Sequence, residues 1–362
     1  MNDLSTEQLW DHLTEKHLVI GEMGLVPDAS SPWFVRVMLG FAGWIGALFM
    51  LGFVGAALTF IVRSSTASLM AGALICVGAA VIFRVSKGQD FAVQFGLATS
   101  FAGQALFIYG LMETFNWGNG FSYVCITVFM AVLAAIVANE IHRAATAFAA
   151  AVSLGLALWW YGVPYLAPAL ITAAMAVIWL HEFSWANRGP VLRPIGYSLV
   201  LAALYSNGVL LMHGYSLLLG RGAGGSPVLA KLSYWTGVLV IGAVFLYTAY
   251  RLIAREGFSI RDRPAQTALL AAATVAVVSY KAPGLATGLA IVLLGYANAN
   301  RVLAGLGVFS LIAYLSIYYY QLQTTLLVKS ASLIITGIVL LVARFALGRL
   351  WPAGPQEGED HA

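Results

Sequence analysis

The chain has 362 residues, 60% of them apolar and 9% charged, with 19 Lys and Arg against 15 Asp and Glu. Soluble domains average roughly 25% charged and 45–50% apolar residues, so this composition excludes a soluble enzyme or binding module and fits a surface that faces lipid. The formal charge of +4 is scattered in ones and twos rather than gathered into a stripe, which argues against nucleic acid.

In chain order, residues 1–33 come first. They hold six acids (Asp3, Glu7, Asp11, Glu15, Glu22, Asp28) and one lysine, Lys16, a net charge of −5 with histidine neutral. A cleaved signal needs a basic start and a short apolar core there, so no cleavage is expected. Ser5-Thr6-Glu7-Gln8 has capping-box spacing, and Leu9, Trp10 and Leu13 form a narrow apolar stripe, which predicts a short amphipathic helix.

The stretch SPWFVRVMLGFAGWIGALFMLGF, Ser31 to Phe53, opens the membrane part, with Ser31 and Pro32 suited to a helix start. Windows of about 18–25 apolar residues cross roughly 30 Å of hydrocarbon. Such windows fall near 34–62, 67–83, 91–112, 120–138, 144–161, 165–183, 195–219, 228–250, 266–280, 284–299, 302–320 and 326–343. Two divisions are weak: Tyr161-Gly-Val-Pro164, a turn or a kink, and Lys281-Ala-Pro-Gly284, between two spans or within a re-entrant pair. The tail 351–362, rich in Pro, Gly and acids, reads as disordered.

With the N-terminus inside, fourteen of the 19 basic residues fall on the cytoplasmic side and five, Arg63, Arg221, Lys231, Lys281 and Lys329, on the other. Basic residues near span ends favour the cytoplasm. The expectation is an all-α integral membrane protein of about twelve transmembrane helices, both termini cytoplasmic, with the membrane domain over 34–350. Trp159, Trp160, Tyr161, Tyr165 and Tyr318 to Tyr320 gather on the outer side as an interfacial belt.

Small residues carry the packing between spans. Gly40, Gly43 and Ala47 form a ridge on the first span, Gly284 and Gly288 a GxxxG, and Gly96, Thr99, Gly103, Gly110 and Glu113 share one face of the third. No internal repeat of the kind seen in many transporters stands out.

Ionisable or polar groups inside a bilayer are the functional candidates. Outside the two terminal segments the acids are Asp90, Glu113, Glu140, Glu182, Glu256 and Asp262, none at a span centre, which weakens an ion-coupled carrier. Ligand or polar-core candidates are Glu113, Gln104, His213, Ser206 and Asn207; a cytoplasmic charged cluster is formed by Glu140, His142, His181 and Glu182. No HExxH, GxSxG, Walker A or GxGxxG motif occurs, Cys76 and Cys125 lack metal-ligand spacing, and no catalytic residue, metal or cofactor is expected. Arg251, Arg255, Arg261 and Arg263 crowd the longest inner loop, where the acidic N-terminal helix is expected to dock.

The segments LWDHL, SPWFVRVMLGFAGWIGALFMLGF and FGLATSFAGQALFIYGLMETF resemble a family of bacterial multi-spanning membrane proteins known as a domain of unknown function. Members are often encoded beside a small membrane protein bearing a GDYXXLXY motif. The resemblance runs from Leu9 to about Leu350 and implies a bacterial inner-membrane location and a possible membrane partner, with no catalytic residues to carry over. The reading that follows is a component of a membrane assembly, with a small-solute transporter as the alternative and a membrane-embedded enzyme third.

Overall fold

The computed structural model describes residues 6–16, 63–85, 90–117, 119–218, 226–281 and 283–321, with scattered positions within 38–56 and 327–334. Among them the secondary structure is helical: α1 (Thr6–Glu15), α2 (Ser65–Val85), α3 (Asp90–Thr114), α4 (Gly120–Ile136), α5 (Glu140–Trp160), α6 (Leu166–Leu180), α7 (Gly189–Leu218), α8 (Pro227–Arg255), α9 (Arg263–Val278), α10 (Pro283–Ala297) and α11 (Arg301–Gln321). Six of these, α2, α3, α5, α7, α8 and α11, are long and apolar enough to cross a membrane. The shorter apolar helices, α4, α6, α9 and α10, have 17, 15, 16 and 15 residues, or about 25, 22, 24 and 22 Å at 1.5 Å per residue. The expectation of about twelve spans therefore counts four helices shorter than a full crossing, and its first and last windows lie largely outside the described residues.

The packing inverts that of a soluble protein. On α2, the small residues Ser68, Gly72, Cys76 and Ala79 are buried, while Met70, Leu74, Val77 and Val81 on the opposite stripe are exposed. Lipid solvates the large chains as well as a core would, so close backbone approach decides which face turns inward. A Cβ on Gly72 would lie 2.6 Å from the Phe107 backbone nitrogen, and one on Gly103 would lie 2.8 Å from Ile75. Gly96, Gly103 and Gly110 all face α2, as their seven-residue spacing predicts. Gly284, Gly288 and Gly307 do the same for α10 and α11. Gly43 of the first window meets the Phe91–Gln94 turn of α3, and Trp44 donates to Gln94 at 3.2 Å.

Of three such hairpins, α4–α5 and α10–α11 pack on the central helices α6, α7 and α8, and α2–α3 adjoins α4. The main core forms around Met175, Trp179, Leu180, Val200, Ile291, Leu294 and Leu303. Helix ends follow local chemistry. Asn119, Asn139, Ser226 and Asn300 accept bonds from the first free N–H groups of α4, α5, α8 and α11. Residues 161–165 form a turn and not a kink: Gly162 takes φ 77°, and Val163 N–H reaches back to Leu158 at 2.8 Å. Near Lys281 a short 3₁₀ turn, Ser279–Lys281, separates α9 from α10 as distinct helices.

Candidate functional site

At the end of the bundle where α5, α7 and α11 begin and α6 and α10 finish, a cavity of about 910 Å³ opens. Glu140 reaches it from α5, Glu182 from the α6–α7 loop, Arg193 and Tyr197 from α7, and Asn298, Asn300 and Arg301 from the α10–α11 turn. We call it the vestibule. Arg193 Nε donates to Glu182 Oε1 at 2.9 Å, the carboxylate being largely buried and the guanidinium exposed. Asn300 Nδ2 donates to the Tyr197 hydroxyl at 2.7 Å while its own oxygen caps α11.

The vestibule has a packed floor. Trp179 is fully buried, its ring edge-on to Tyr197 at 4.9 Å, and Gly196 leaves room for it. Asn298 Nδ2 donates to the Trp179 carbonyl at 2.9 Å, and its buried Oδ1 has no partner among the described residues. On the rim, Ala299 adopts φ 51° so that Asn300 N–H can close back on Gly295. A left-handed alanine is strained by the clash of its Cβ with the following carbonyl.

Two arginines close this end by capping neighbouring helices. Pro194 lacks an N–H, which orphans the Pro190 carbonyl one turn earlier in α7. Arg143 Nη1 supplies the missing donor at 2.9 Å, and its Nε donates to Ala134 O in the last turn of α4. Arg255 similarly donates to Leu180 O at the end of α6. Positive charge at a helix C-terminus is favourable, so both are accounted for as structural latches.

A second polar group lies between α3 and α5. Ser100 Oγ and Gln104 Nε2 converge on His142 Nε2 at 2.7 and 3.0 Å, and Gln104 also donates to Ser100 at 3.1 Å. The Gln104 amide nitrogen can only donate, so His142 Nε2 accepts and the ring proton falls on Nδ1, which is buried without a partner among the described residues. Phe101 stacks on the imidazole at 5.9 Å and Phe83 meets it edge-on at 5.7 Å.

The structure thus separates the predicted charged cluster. Glu140 and Glu182 line the vestibule, whereas His142 turns to α3 and His181 stacks on Trp185 at 4.9 Å with Nδ1 2.9 Å from its own helix's Val177 O. Among the polar-core candidates, Gln104 meets His142. Ser206 and Asn207 both bond to Ala203 O on their own helix. Glu113 is exposed at the end of α3 and accepts from Trp117 Nε1 at 2.7 Å. His213 lies in α7, its side chain outside the described residues. Among the described residues no group of three or more His, Cys, Asp or Glu is placed to hold a metal.

Sequence reasoning missed Ser100, Tyr197, Asn298 and Asn300. Two signals were available: Ser100 and Gln104 are one helical turn apart on α3, and Asn-Ala-Asn marks a polar turn between two apolar runs.

A family model described as a domain of unknown function, DUF4401, matches residues 32–350. The chain belongs to the DUF4401 family. No curated protein and no solved structure matches it. In this DUF4401 protein the vestibule and the Ser100–Gln104–His142 group both fall inside the matched region, while α1 precedes it. With its several long apolar helices, the DUF4401 chain is a membrane protein.

Proposed function

We propose that this DUF4401 protein is a component of an assembly in the bacterial inner membrane, with about twelve spans, both termini cytoplasmic and a small GDYXXLXY-type membrane protein as its partner. The observation that supports this best is the closed floor of the vestibule. A conduit needs polar groups that continue from one mouth to the other. Here Tyr197 lines the cavity with the fully buried Trp179 packed behind it, and further along α7 Ser206 and Asn207 spend their side-chain bonds on their own helix. Charges of both signs around a mouth that leads nowhere suit a surface that receives another molecule and holds it. The test is purification of the tagged full-length chain in mild detergent followed by mass spectrometry of what remains bound. A stoichiometric small membrane protein, lost when Glu140 and Arg301 are both replaced by alanine, is the expected result. A homogeneous protein without any partner sinks the proposal.

A transporter is the second reading, favoured by one observation: Ser100, Gln104 and His142 place hydrogen-bonding groups between the helices α3 and α5. The cavity volume is also within the roughly 300–1,000 Å³ of small-molecule sites. If this reading holds, Gln104→Cys reacts with a membrane-impermeant thiol reagent in a Cys76→Ser, Cys125→Ser background. Protection of that cysteine removes it.

A further inference from the structure

The vestibule is not the only opening at the arginine-rich end. A groove of about 600 Å³ runs between α8, α9 and α10, lined by Phe245, Leu252, Pro264, Ala268, Val275 and Leu293 among others. Its lining is apolar apart from Thr267, whose hydroxyl is spent on Pro264 O at 2.9 Å. The groove exists because α9 packs on α8 while α10 packs on α8 and α11, so that α9 and α10 diverge around a shared neighbour. On α9 the lining runs from residue 264 to residue 275, about 16 Å along the axis. That is close to half of a hydrocarbon core of about 30 Å, the depth of one leaflet. A partner transmembrane helix would require a groove of twice this length.

Charge stands at one end of this groove. Leu252 and Pro264 line its mouth, and each is adjacent in sequence to an arginine, Arg251 and Arg263. The loop between them adds Arg255 and Arg261 against two acids, Glu256 and Asp262. Neither acid neutralises an arginine by direct pairing among the described residues. Asp262 accepts from the Ser259 backbone at 2.7 Å, and the one ion pair among the described residues is Arg193–Glu182. Arg255 caps α6 and Arg251 leans on Tyr247, 5.9 Å above its ring, which leaves Arg261 and Arg263 exposed to solvent.

We infer that this groove binds one anionic phospholipid, its acyl chains between α8, α9 and α10 and its phosphate against Arg261 and Arg263, with Arg251 at the side. Each half of the feature calls for a different half of the same molecule. The acidic N-terminal helix would answer the arginines and leave the apolar trough empty, and an uncharged lipid would do the reverse. Basic pockets between transmembrane helices recognise anionic headgroups in this way.

The experiment is native mass spectrometry of the full-length protein in mild detergent, titrated with phosphatidylglycerol and with phosphatidylcholine of the same acyl chains. The expected result is phosphatidylglycerol retained about tenfold more tightly, the worth of one to two arginines near a membrane surface. The double variant Arg261→Gln, Arg263→Gln reduces it to the level of phosphatidylcholine, whereas Arg188→Gln, at the same end but away from the groove, does not. Ala268→Trp, which fills the trough, lowers retention of both lipids. Every variant is first checked for a single monodisperse peak. Equal retention of the two lipids, or retention of phosphatidylglycerol unchanged by the double glutamine variant, overturns the inference and returns the arginines to the acidic N-terminal segment.

Discussion

At the scale of single residues, the positions that explain most are those where one residue answers another's deficiency. Pro194 removes a donor and Arg143 replaces it; Asn300 caps α11 and fixes Tyr197 with its two amide ends. Ala299 is the exception, a left-handed alanine where glycine would cost nothing sterically. Ala299→Gly should stabilise the fold by about 0.5–1 kcal/mol, the relief of the left-handed penalty less the extra freedom of glycine in the unfolded chain. A higher midpoint of thermal unfolding in detergent is the expected readout; a lower one would mean that the alanine methyl is held by packing. Little of this was legible in the sequence. His142 reads there as one member of an end-of-span charged group, and its real partners, Ser100 and Gln104, come from a helix about 40 residues away, a pairing that spacing within one helix cannot encode.

Elements were far more legible, because hydrophobic length and glycine spacing are properties of contiguous sequence. The run Gly96, Gly103, Gly110 gives the face of α3 that meets α2, and the Gly284–Gly288 pair gives that of α10. What the sequence left undecided was the status of short runs, since 15 apolar residues satisfy neither the length of a full span nor that of a loop. Gly72→Leu should force α2 from α3 and cost about 1–3 kcal/mol or more, as overpacking does. Gly78, on the same helix with nothing among the described residues near its missing Cβ, gives the matched control: Gly78→Leu should leave the size-exclusion profile unchanged while Gly72→Leu broadens it. Equal behaviour of the two would show that the small face of α2 is not what holds the hairpin.

At the scale of the whole molecule, the arginines gather at one end because α4, α6, α8 and α10 all finish there, and the aromatic residues Tyr165, Tyr234, Trp235 and Tyr280 stack together at the other. If that first end faces the cytoplasm, Ala186→Cys at the vestibule in a cysteine-free background should react with an impermeant thiol reagent in inverted vesicles and not in right-side-out ones. Ala203→Cys, fully buried on α7, should stay protected in both. The opposite sidedness would reverse the topology. The short central helices also have an electrical meaning. Where α6 and α10 lie side by side, joined by the Thr172–Thr287 contact, each helix is only about 22 Å long, against about 30 Å of hydrocarbon. Where water reaches both ends of that pair, a membrane voltage, worth about 2.3 kcal/mol per elementary charge per 100 mV, falls over the shorter distance and places those two threonines in a field about a third stronger than one spread over the full hydrocarbon.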